Sequence, residues 1–415
     1  MANLTLSSES NTARPESNSA RPKSSARQRA ALWAGGFTLS MALGTRGSLG
    51  LFLAPLALIG VPIEMTALAV AVNALAWGAS QPLIGAWADR YGAGVIQAVG
   101  ALIYAAGFLL PALLDGTWPV MLGIGVLTGI GASCTAFGVS LAGVSRAFPD
   151  DRRAAATGLA ATGGSIGMML CPPIAAAAIA LGGVTLGFLI LAAMMLLTLP
   201  FGRPLDRAAL VAPERRNSAA AIRAALSNRS FVLVSLGFFT CGFQLMFLSI
   251  HLPGYLTLCG MPASTGAWAL TMVGASNIAG SYAFGKLGQK LPPQFVLVGL
   301  YVLRAVTTLA FFALPKTDLS VAIFALVMGT TWMATVPLTN GVVTSLFGVR
   351  DIGALFGICF ISHQLGGFAG TLMGGMVFAW TGAYDIAFII TALAGFVAAG
   401  FNLPIRLGRP ALATA

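Results

Sequence analysis

The chain has 415 residues, of which 57% are hydrophobic and only 8% are charged, and its formal net charge is +11. Soluble domains carry about 25% charged residues, so this composition excludes a soluble globular enzyme and indicates a polytopic membrane protein. The basic residues flank apolar stretches, a pattern that indicates membrane topology and excludes a nucleic-acid-binding surface.

Twelve apolar segments follow one another along the chain, and each is long enough to cross about 30 Å of hydrocarbon as a helix. We number them spans 1 to 12 and predict them at roughly 31–57, 65–88, 93–114, 117–143, 154–180, 183–201, 230–256, 264–285, 293–314, 319–345, 352–379 and 385–404. The predicted fold class is therefore all-α, a polytopic membrane protein with twelve transmembrane helices.

The polar segments predict the domain organisation. Residues 1–30 are expected to form a disordered cytosolic tail, and residues 31–201 an N-terminal six-helix bundle. Residues 202–229 are interpreted as a cytoplasmic linker, residues 230–405 as a C-terminal six-helix bundle, and residues 406–415 as a second cytosolic tail.

Lys and Arg are distributed unequally between the two sides of the predicted bundle. Of the 23 Lys and Arg residues, 20 fall on one side of the bundle, in the two tails, the linker and the loops next to them. Lys316 alone falls in a loop on the other side. Because cytoplasmic loops retain basic residues, both termini are predicted to be cytoplasmic, in a cell membrane of the bacterial inner-membrane type. Arg46 and Arg304 remain inside spans.

The two halves of the chain resemble each other at an offset near 200 residues. Two glycines of span 5, Gly158 and Gly167, recur 199 residues later in span 11 as Gly357 and Gly366. The loop after span 2 likewise has a degenerate copy after span 8. Corresponding spans then run in the same direction, which predicts two parallel repeats of six helices.

The loop after span 2 resembles the signature loop of the major facilitator superfamily, which Gly85, Asp89, Arg90 and Gly92 match. With twelve spans and a long central linker, the resemblance extends over essentially the whole chain. It implies a secondary transporter that alternates access between its halves. It also implies that these four residues gate the cytoplasmic face, with solvated end charges as the alternative for Asp89 and Arg90.

Spans 5 and 11 further resemble the monocarboxylate transporter branch and the oxalate/formate antiporters. The matching residues are Phe148, Arg152, Arg153, Ala156, Gly158, Ala160, Gly163 and Gly167 at the entry to span 5 and within it, and Gly357, His363, Gln364, Gly366, Gly370 and Gly374 in span 11. The resemblance implies a monocarboxylate-like substrate. Carboxylate-transporting members place an Asp and an Arg in span 8 where this chain has Asn277 and Ser281, so the usual anion anchor of that branch is absent.

Arg46 leads the candidates for substrate binding because it lies deep within span 1. An Arg at that depth costs at least about 2.5 to 3.5 kcal/mol, so it should face a wet cavity or a partner. It is interpreted as the fixed charge that meets an anionic substrate. The alternative is an Arg that snorkels to the interface or pairs with a carbonyl. Arg304, in span 9, is expected to have a structural pairing role.

His363 and Gln364 form a polar pair in the middle of span 11. His363 is a candidate for the coupling proton because an ordinary imidazole titrates near neutrality. The alternative is a neutral imidazole that hydrogen-bonds across helices. His251, near the outer end of span 7, is expected to be interfacial.

Further candidates are polar or aromatic residues on spans that line the cavity in the resembling family. Each alone is typical of a helix–helix hydrogen bond, and their convergence is what suggests a binding site. These substrate-binding candidates, in addition to Arg46, His363 and Gln364, are Asn73, Trp77, Gln244, Asn277, Trp332 and Thr335.

The sequence thus predicts a secondary active transporter of a small organic anion, proton-coupled or exchanging, that acts as a monomer in the lipid bilayer. The alternative is a multidrug or metabolite exporter of the same superfamily, and a membrane sensor is a third possibility. No nucleophile–base pair, phosphate-binding loop or metal-ligand cluster is visible, so neither an enzyme nor a cofactor is predicted. No nucleic-acid partner is expected.

Overall fold

The computed structural model describes residues 25–207, 219–348 and 352–407, and over these ranges the chain is helical without any strand. Most of the predicted tails and the middle of the predicted linker lie outside these ranges. The side chain of Asp89 is also outside what the structure describes.

The spans have the following bounds. Span 1 is Ala26–Gly47, extended by Leu49–Phe52 and Leu53–Leu58; span 2 is Ile63–Tyr91; span 3 is Ala93–Leu113; span 4 comprises Thr117–Val120, Met121–Leu127, Thr128–Thr135 and Phe137–Arg146; spans 5 and 6 lie within Asp150–Leu196, followed by Leu199–Phe201 and Gly202–Arg207. The linker contains Ala219–Leu226; span 7 is Arg229–Leu258; span 8 is Ala263–Lys290; span 9 is Pro293–Ala313; span 10 comprises Asp318–Thr331 and Thr335–Phe347; span 11 is Ile352–Thr381; span 12 is Asp385–Asn402.

The predicted count of twelve spans is confirmed. Ten helical stretches of the described chain are long and apolar enough to cross a membrane. One of them, Ala156–Asp206, holds two spans, because the backbone leaves the helical region at Gly182 and Gly183, where φ of Gly183 is +67°. The helix Ala263–Lys290 is more polar than these ten stretches, but it is 28 residues long and packs against span 5, so it is span 8. The ten stretches contain eleven spans, and span 8 is the twelfth.

Local sequence signals set where these helices begin. Span 1 begins at Ala26, earlier than the apolar pattern predicts, because Ser25 and Gln28 form a capping box that satisfies the first backbone N–H groups. Spans 2 and 8 both follow a glycine with positive φ, Gly60 at +89° and Gly260 at +80°. These two glycines are 200 residues apart, so the same turn recurs in each half.

The close packing within each half also repeats. A Cβ atom on Gly167 would overlap the carbonyl of Ser40, and one on Gly366 would overlap the carbonyl of Phe239. Both pairs are shifted by 199 residues, so the seam between spans 1 and 5 recurs between spans 7 and 11. Only glycine allows the backbones to approach this closely. The two halves are therefore parallel structural repeats, as predicted.

Each half has its own apolar core, and the cores meet at one end of the bundle. The core of the first half includes Ile250, Ala267 and Leu270 from spans 7 and 8. We call this the far end, because both described chain ends and the linker lie at the opposite end. That opposite end is called the linker end.

Candidate substrate site

A cavity of about 860 Å³ lies between the two halves and extends towards the linker end. Its lining there includes Pro82 and Gly85 of span 2, Leu141 of span 4, Ile222 of the linker helix and Ala354 of span 11. Towards the middle of the bundle it reaches Arg46. The site therefore occupies the interface of the repeats.

Close backbone contacts shut the cavity from the far end. A Cβ atom on Gly50 of span 1 would lie 2.8 Å from the carbonyl oxygen of Ile250 in span 7, and closer still to that of Ser249. A Cβ atom on Gly274 of span 8 would overlap the backbone at Met168 of span 5. Real Cβ atoms do not approach this closely, so no side chain fits at either point.

Arg46 is the charged group of the cavity wall, and it is only 7% exposed. Its Nε donates to Oδ1 of Asn73 at 3.0 Å, and its Nη1 donates to Sδ of Met246 at 3.0 Å. Its Nη2 is buried and has no hydrogen-bond partner. The guanidinium carbon lies 5.0 Å from the centre of the Trp77 ring, which stabilises the cation.

The neighbours of Arg46 are themselves held in place. The Asn73 amide nitrogen donates to Oγ1 of Thr128 at 2.8 Å and to the Ile124 carbonyl at 3.3 Å, so its oxygen must face Arg46. The Trp77 Nε1 donates to Oε1 of Gln81 at 3.0 Å. The cation is thus preorganised by spans 2 and 4.

The second half contributes Trp332, Thr335, His363 and Gln364 to the same cavity. The His363 ring lies 4.8 Å from the Phe238 ring centre, and its Nδ1 is 3.3 Å from Oε1 of Gln364. The Nε2 of Gln364 is buried without a partner. These four sequence-predicted residues therefore line the same cavity as Arg46.

Three sequence-predicted residues do not line the cavity: Asn73, which is fully buried beside Arg46, and two that lie between helices. Asn277 donates to Oγ of Ser165 at 2.7 Å and accepts from the backbone N–H of Met333 at 2.9 Å, so it ties span 8 to spans 5 and 10. Gln244 donates to the Thr391 carbonyl of span 12 at 3.0 Å. Both side chains are fully buried between helices.

Arg304 is fully buried, and each of its nitrogens has a partner. Its Nε donates to Oγ1 of Thr331 at 3.1 Å, its Nη1 to Sγ of Cys241 at 3.3 Å, and its Nη2 to the carbonyls of Thr331 and Trp332. The Trp332 carbonyl lies at the break in span 10, where the chain leaves the regular helix. Arg304 therefore satisfies the free carbonyls of that break, which is a structural role.

The signature loop lies at the linker end. Arg90 is exposed, and its guanidinium carbon is 5.2 Å from the Tyr91 ring centre. Gly92 ends span 2 with φ of +99°, a conformation that favours glycine. The backbone N–H of Gly94 donates to Oδ1 of Asp206 at 2.8 Å. Asp206, which follows span 6, therefore caps the beginning of span 3.

The charge distribution of the cavity is simple. Among the lining residues that the structure describes, Arg46 is the sole Lys or Arg, and none is Asp or Glu. No cluster of metal-ligating side chains occurs within the described ranges. The rest of the lining is mostly apolar and aromatic, with a few polar side chains such as Gln81, Thr335 and Gln364, so the wall offers one Arg charge in a largely apolar surface.

Comparison with known proteins identifies the family to which this twelve-helix chain belongs. The sequence profile of the Major Facilitator Superfamily matches residues 32–371. The chain belongs to the Major Facilitator Superfamily. It is a membrane transporter and not an enzyme.

Relatives and solved structures agree with that family. The chain is 27% identical to an uncharacterized MFS-type transporter, YcxA, of Bacillus subtilis, over 84% of this chain and 88% of the relative. It is 26% identical to monocarboxylate transporter 13 of Rattus norvegicus, over 38% of this chain and 37% of the relative. A crystal structure of a bacterial homolog of the human lysosomal transporter Spinster superposes with a TM-score of 0.73 at 16% identity, covering 92% of this chain and 97% of that one.

Sequence reasoning missed Met246, which accepts from Arg46, and Gln81, which accepts from Trp77. The offset of 199 residues that relates span 1 to span 7 pairs Arg46 with Leu245, one residue before Met246, so the repeat alone does not identify Met246. The amide of Gln81 follows Trp77 by one helical turn, a spacing that places both on one face.

Proposed function

We propose that the protein is a secondary active transporter of an organic anion of the monocarboxylate type, working by alternating access with proton coupling or exchange. The observation that carries this proposal is the free Nη2 of Arg46, a buried donor in a cavity wall.

The environment of Arg46 suits an anion better than a cation or a neutral solute. A buried guanidinium without a carboxylate is costly, and no acidic side chain among the described lining residues neutralises it. Its Nη1 contacts only a thioether sulfur, which is a weak acceptor. An incoming carboxylate can replace that sulfur and bind Nη1 and Nη2 together as a bidentate pair.

The access route supports alternation between two states. The far end is closed by contacts such as that of Gly50 with span 7, whereas the linker end is open. A Cβ atom on Gly85, Gly158, Gly285 or Gly357 would meet nothing within 4 Å. These glycines occupy corresponding places in the two repeats. We infer that they give spans 2, 5, 8 and 11 room to approach when the linker end closes. With both termini in the cytoplasm, the present state is open inwards.

Gating and coupling are assigned to separate residues. Gly85, Asp89, Arg90 and Gly92 at the linker end are proposed to act on the equilibrium between the two states. His363 lines the cavity beside Gln364 and Cys241, so it is placed to exchange a proton with the cavity. Asn73, Trp77, Trp332 and Thr335 complete the proposed binding site. Gln244 and Asn277 act as helix ties.

The apolar lining favours a second candidate function, export of amphipathic drugs or metabolites. Neutral or cationic compounds would use the apolar wall and leave Arg46 unpaired. The name of the rat relative, monocarboxylate transporter 13, favours the first function.

A binding screen distinguishes the two functions. Purified protein is heated with carboxylates and with the matching carboxamides, and the melting temperature is recorded. We expect carboxylates to stabilise, by about 2.7 kcal/mol at 100 times their Kd, and carboxamides to have no effect. The Arg46→Gln variant should lose the response, and Arg229→Gln, the same change at an exposed site, should keep it. Equal stabilisation by carboxamides or by quaternary ammonium compounds would contradict the anion proposal.

A further inference from the structure

We propose that the substrate is an aromatic monocarboxylate that carries a second, uncharged hydrogen-bond acceptor. The inference rests on the proposed function and narrows its substrate class. Three features of the cavity carry it: two unpaired donors, an aromatic wall and a single positive charge.

The first feature is that two buried donors in the cavity wall have no acceptor. They are Nη2 of Arg46, on span 1, and Nε2 of Gln364, on span 11. The two residues are only 7% and 2% exposed. Leaving a buried donor unpaired is unfavourable, so a bound molecule that supplies two acceptors gains more than one that supplies only a carboxylate.

Both residues lie beside span 2 at Trp77 and Gly78. The guanidinium of Arg46 stacks on the Trp77 ring at 5.0 Å. Gln364 packs against span 2 next to Trp77, because its Cβ lies 3.0 Å from the place where Gly78 would carry a Cβ. One molecule lying along Trp77 can therefore contact a donor from each half of the protein.

The second feature is the aromatic wall. Trp77 meets Phe360 edge to face at a centroid distance of 5.3 Å, and the His363 ring lies between Phe238 and Phe360, at 4.8 Å and 6.1 Å. These rings come from both halves, and Trp332 adds a further one. Aromatic rings stack best on other rings, so the wall favours a flat aromatic body over a two- or three-carbon chain.

The size of the cavity agrees with such a body. Its volume of about 860 Å³ lies within the range of roughly 300 to 1,000 Å³ that holds drug-sized ligands. A two- or three-carbon acid would leave most of the apolar wall in contact with water. A fused aromatic ring would cover it and gain the free energy of that burial.

The third feature is the single charge. Arg46 is the sole Lys or Arg in the described lining, so a dicarboxylate would bring one unpaired anion into an apolar surface. The amide of Gln364 is a neutral donor and matches a hydroxyl or carbonyl oxygen. The wall therefore selects one carboxylate and one uncharged acceptor.

Isothermal titration of the purified full chain tests the inference with defined probes: acetate, 2-naphthoate, 2-naphthamide, naphthalene-2,6-dicarboxylate and the isomeric hydroxy-2-naphthoates. We expect 2-naphthoate to bind at least about a hundredfold more tightly than acetate, which corresponds to about 2.7 kcal/mol. The dicarboxylate should bind at least about tenfold more weakly than 2-naphthoate, and one hydroxy isomer about fivefold more tightly.

Substitution assigns the two donors. Gln364→Ala should remove the gain of the hydroxy isomer, so that this isomer and 2-naphthoate bind the variant with equal affinity. Gln294→Ala, the same change at a buried glutamine outside the cavity lining, should keep that gain. Arg46→Gln should weaken every carboxylate.

The failures of the two proposals are distinguishable. Acetate binding as tightly as 2-naphthoate, or dicarboxylate binding more tightly, would overturn the inference and leave the anion proposal standing. The assignment of the second acceptor would be overturned if a hydroxy isomer still bound Gln364→Ala more tightly than 2-naphthoate does. It would also be overturned if no hydroxy isomer bound the wild-type protein more tightly than 2-naphthoate. Binding of 2-naphthamide equal to that of 2-naphthoate would overturn the anion proposal itself.

Discussion

Closure of the far end depends on the absence of a side chain at Gly50. We predict that Gly50→Ala shifts the transporter towards the state that is open at the far end. The added methyl group would lie 2.8 Å from the carbonyl oxygen of Ile250 and 2.9 Å from its Cα, so spans 1 and 7 must separate. Overpacking of this kind costs about 1 to 3 kcal/mol. Because the state that is open at the far end escapes that cost, the equilibrium should shift by a factor of about 5 to 150.

The control is Gly299→Ala in span 9. Gly299 is exposed, and a methyl group there meets nothing within 4 Å, so the present state should tolerate it. Both glycines lie in helical backbone, and the small gain in helix propensity on changing Gly to Ala applies to each. The contrast between the variants therefore reports on the contact with span 7.

Thiol labelling measures the shift. The five native cysteines are replaced by Ser, and Leu43, a half-buried cavity residue of span 1, is changed to Cys. A membrane-impermeant maleimide is then applied to intact cells and to inside-out vesicles. We expect Gly50→Ala to increase labelling from the far side and Gly299→Ala to leave it unchanged. Unchanged far-side labelling in a folded, expressed Gly50→Ala protein would refute the reasoning.

Three further predictions concern other parts of the molecule. Asp89→Asn should lower the maximal transport rate by about tenfold or more and change the substrate Kd by less than about twofold, because the signature loop acts on the conformational equilibrium. Equilibrium binding and uptake measured on one preparation check this prediction. His363→Gln should retain counterflow exchange but lose the response of uptake to an imposed pH gradient, since exchange moves no net proton, and a retained response would exclude His363 as the coupling group. Arg304→Met should lower the free energy of unfolding by about 2 to 5 kcal/mol, because the guanidinium makes four hydrogen bonds to Thr331, Trp332 and Cys241, and denaturant unfolding with Arg229→Met as control measures it.

The helices and their repeat are predictable from the sequence because both depend on local composition. Apolar length sets the spans, and the recurrence of Gly167 as Gly366 marks equivalent close contacts. The depth of Arg46 in the membrane also follows from its position along span 1. A charge at that depth needs a polar partner or a water-filled cavity, whichever way the helix is rotated about its axis.

The rotation of each helix about its own axis is less predictable from the sequence. A helix in lipid is apolar on every side, so its periodicity does not show which polar residue faces the cavity. Gln244 therefore contacts span 12 instead. The prediction that His251 is interfacial is wrong: it is fully buried and 2.8 Å from the Thr371 carbonyl, because span 11 packs closely against span 7 there. The hydrogen-bond partners of Gln244 and His251 are set by how the helices pack against each other, which the local sequence does not show.

The most direct test of the account is counterflow of a labelled carboxylate in proteoliposomes that contain wild type, Arg46→Gln, Arg46→Lys or Arg229→Gln. Arg46→Gln should abolish counterflow, and Arg46→Lys should restore only part of it, because an ammonium keeps the charge but lacks the planar fork. Loss of the charge-assisted contact should raise Kd by about tenfold to over a hundredfold. Arg229→Gln should transport like wild type. Normal carboxylate counterflow by Arg46→Gln would contradict the claim that Arg46 binds the substrate anion.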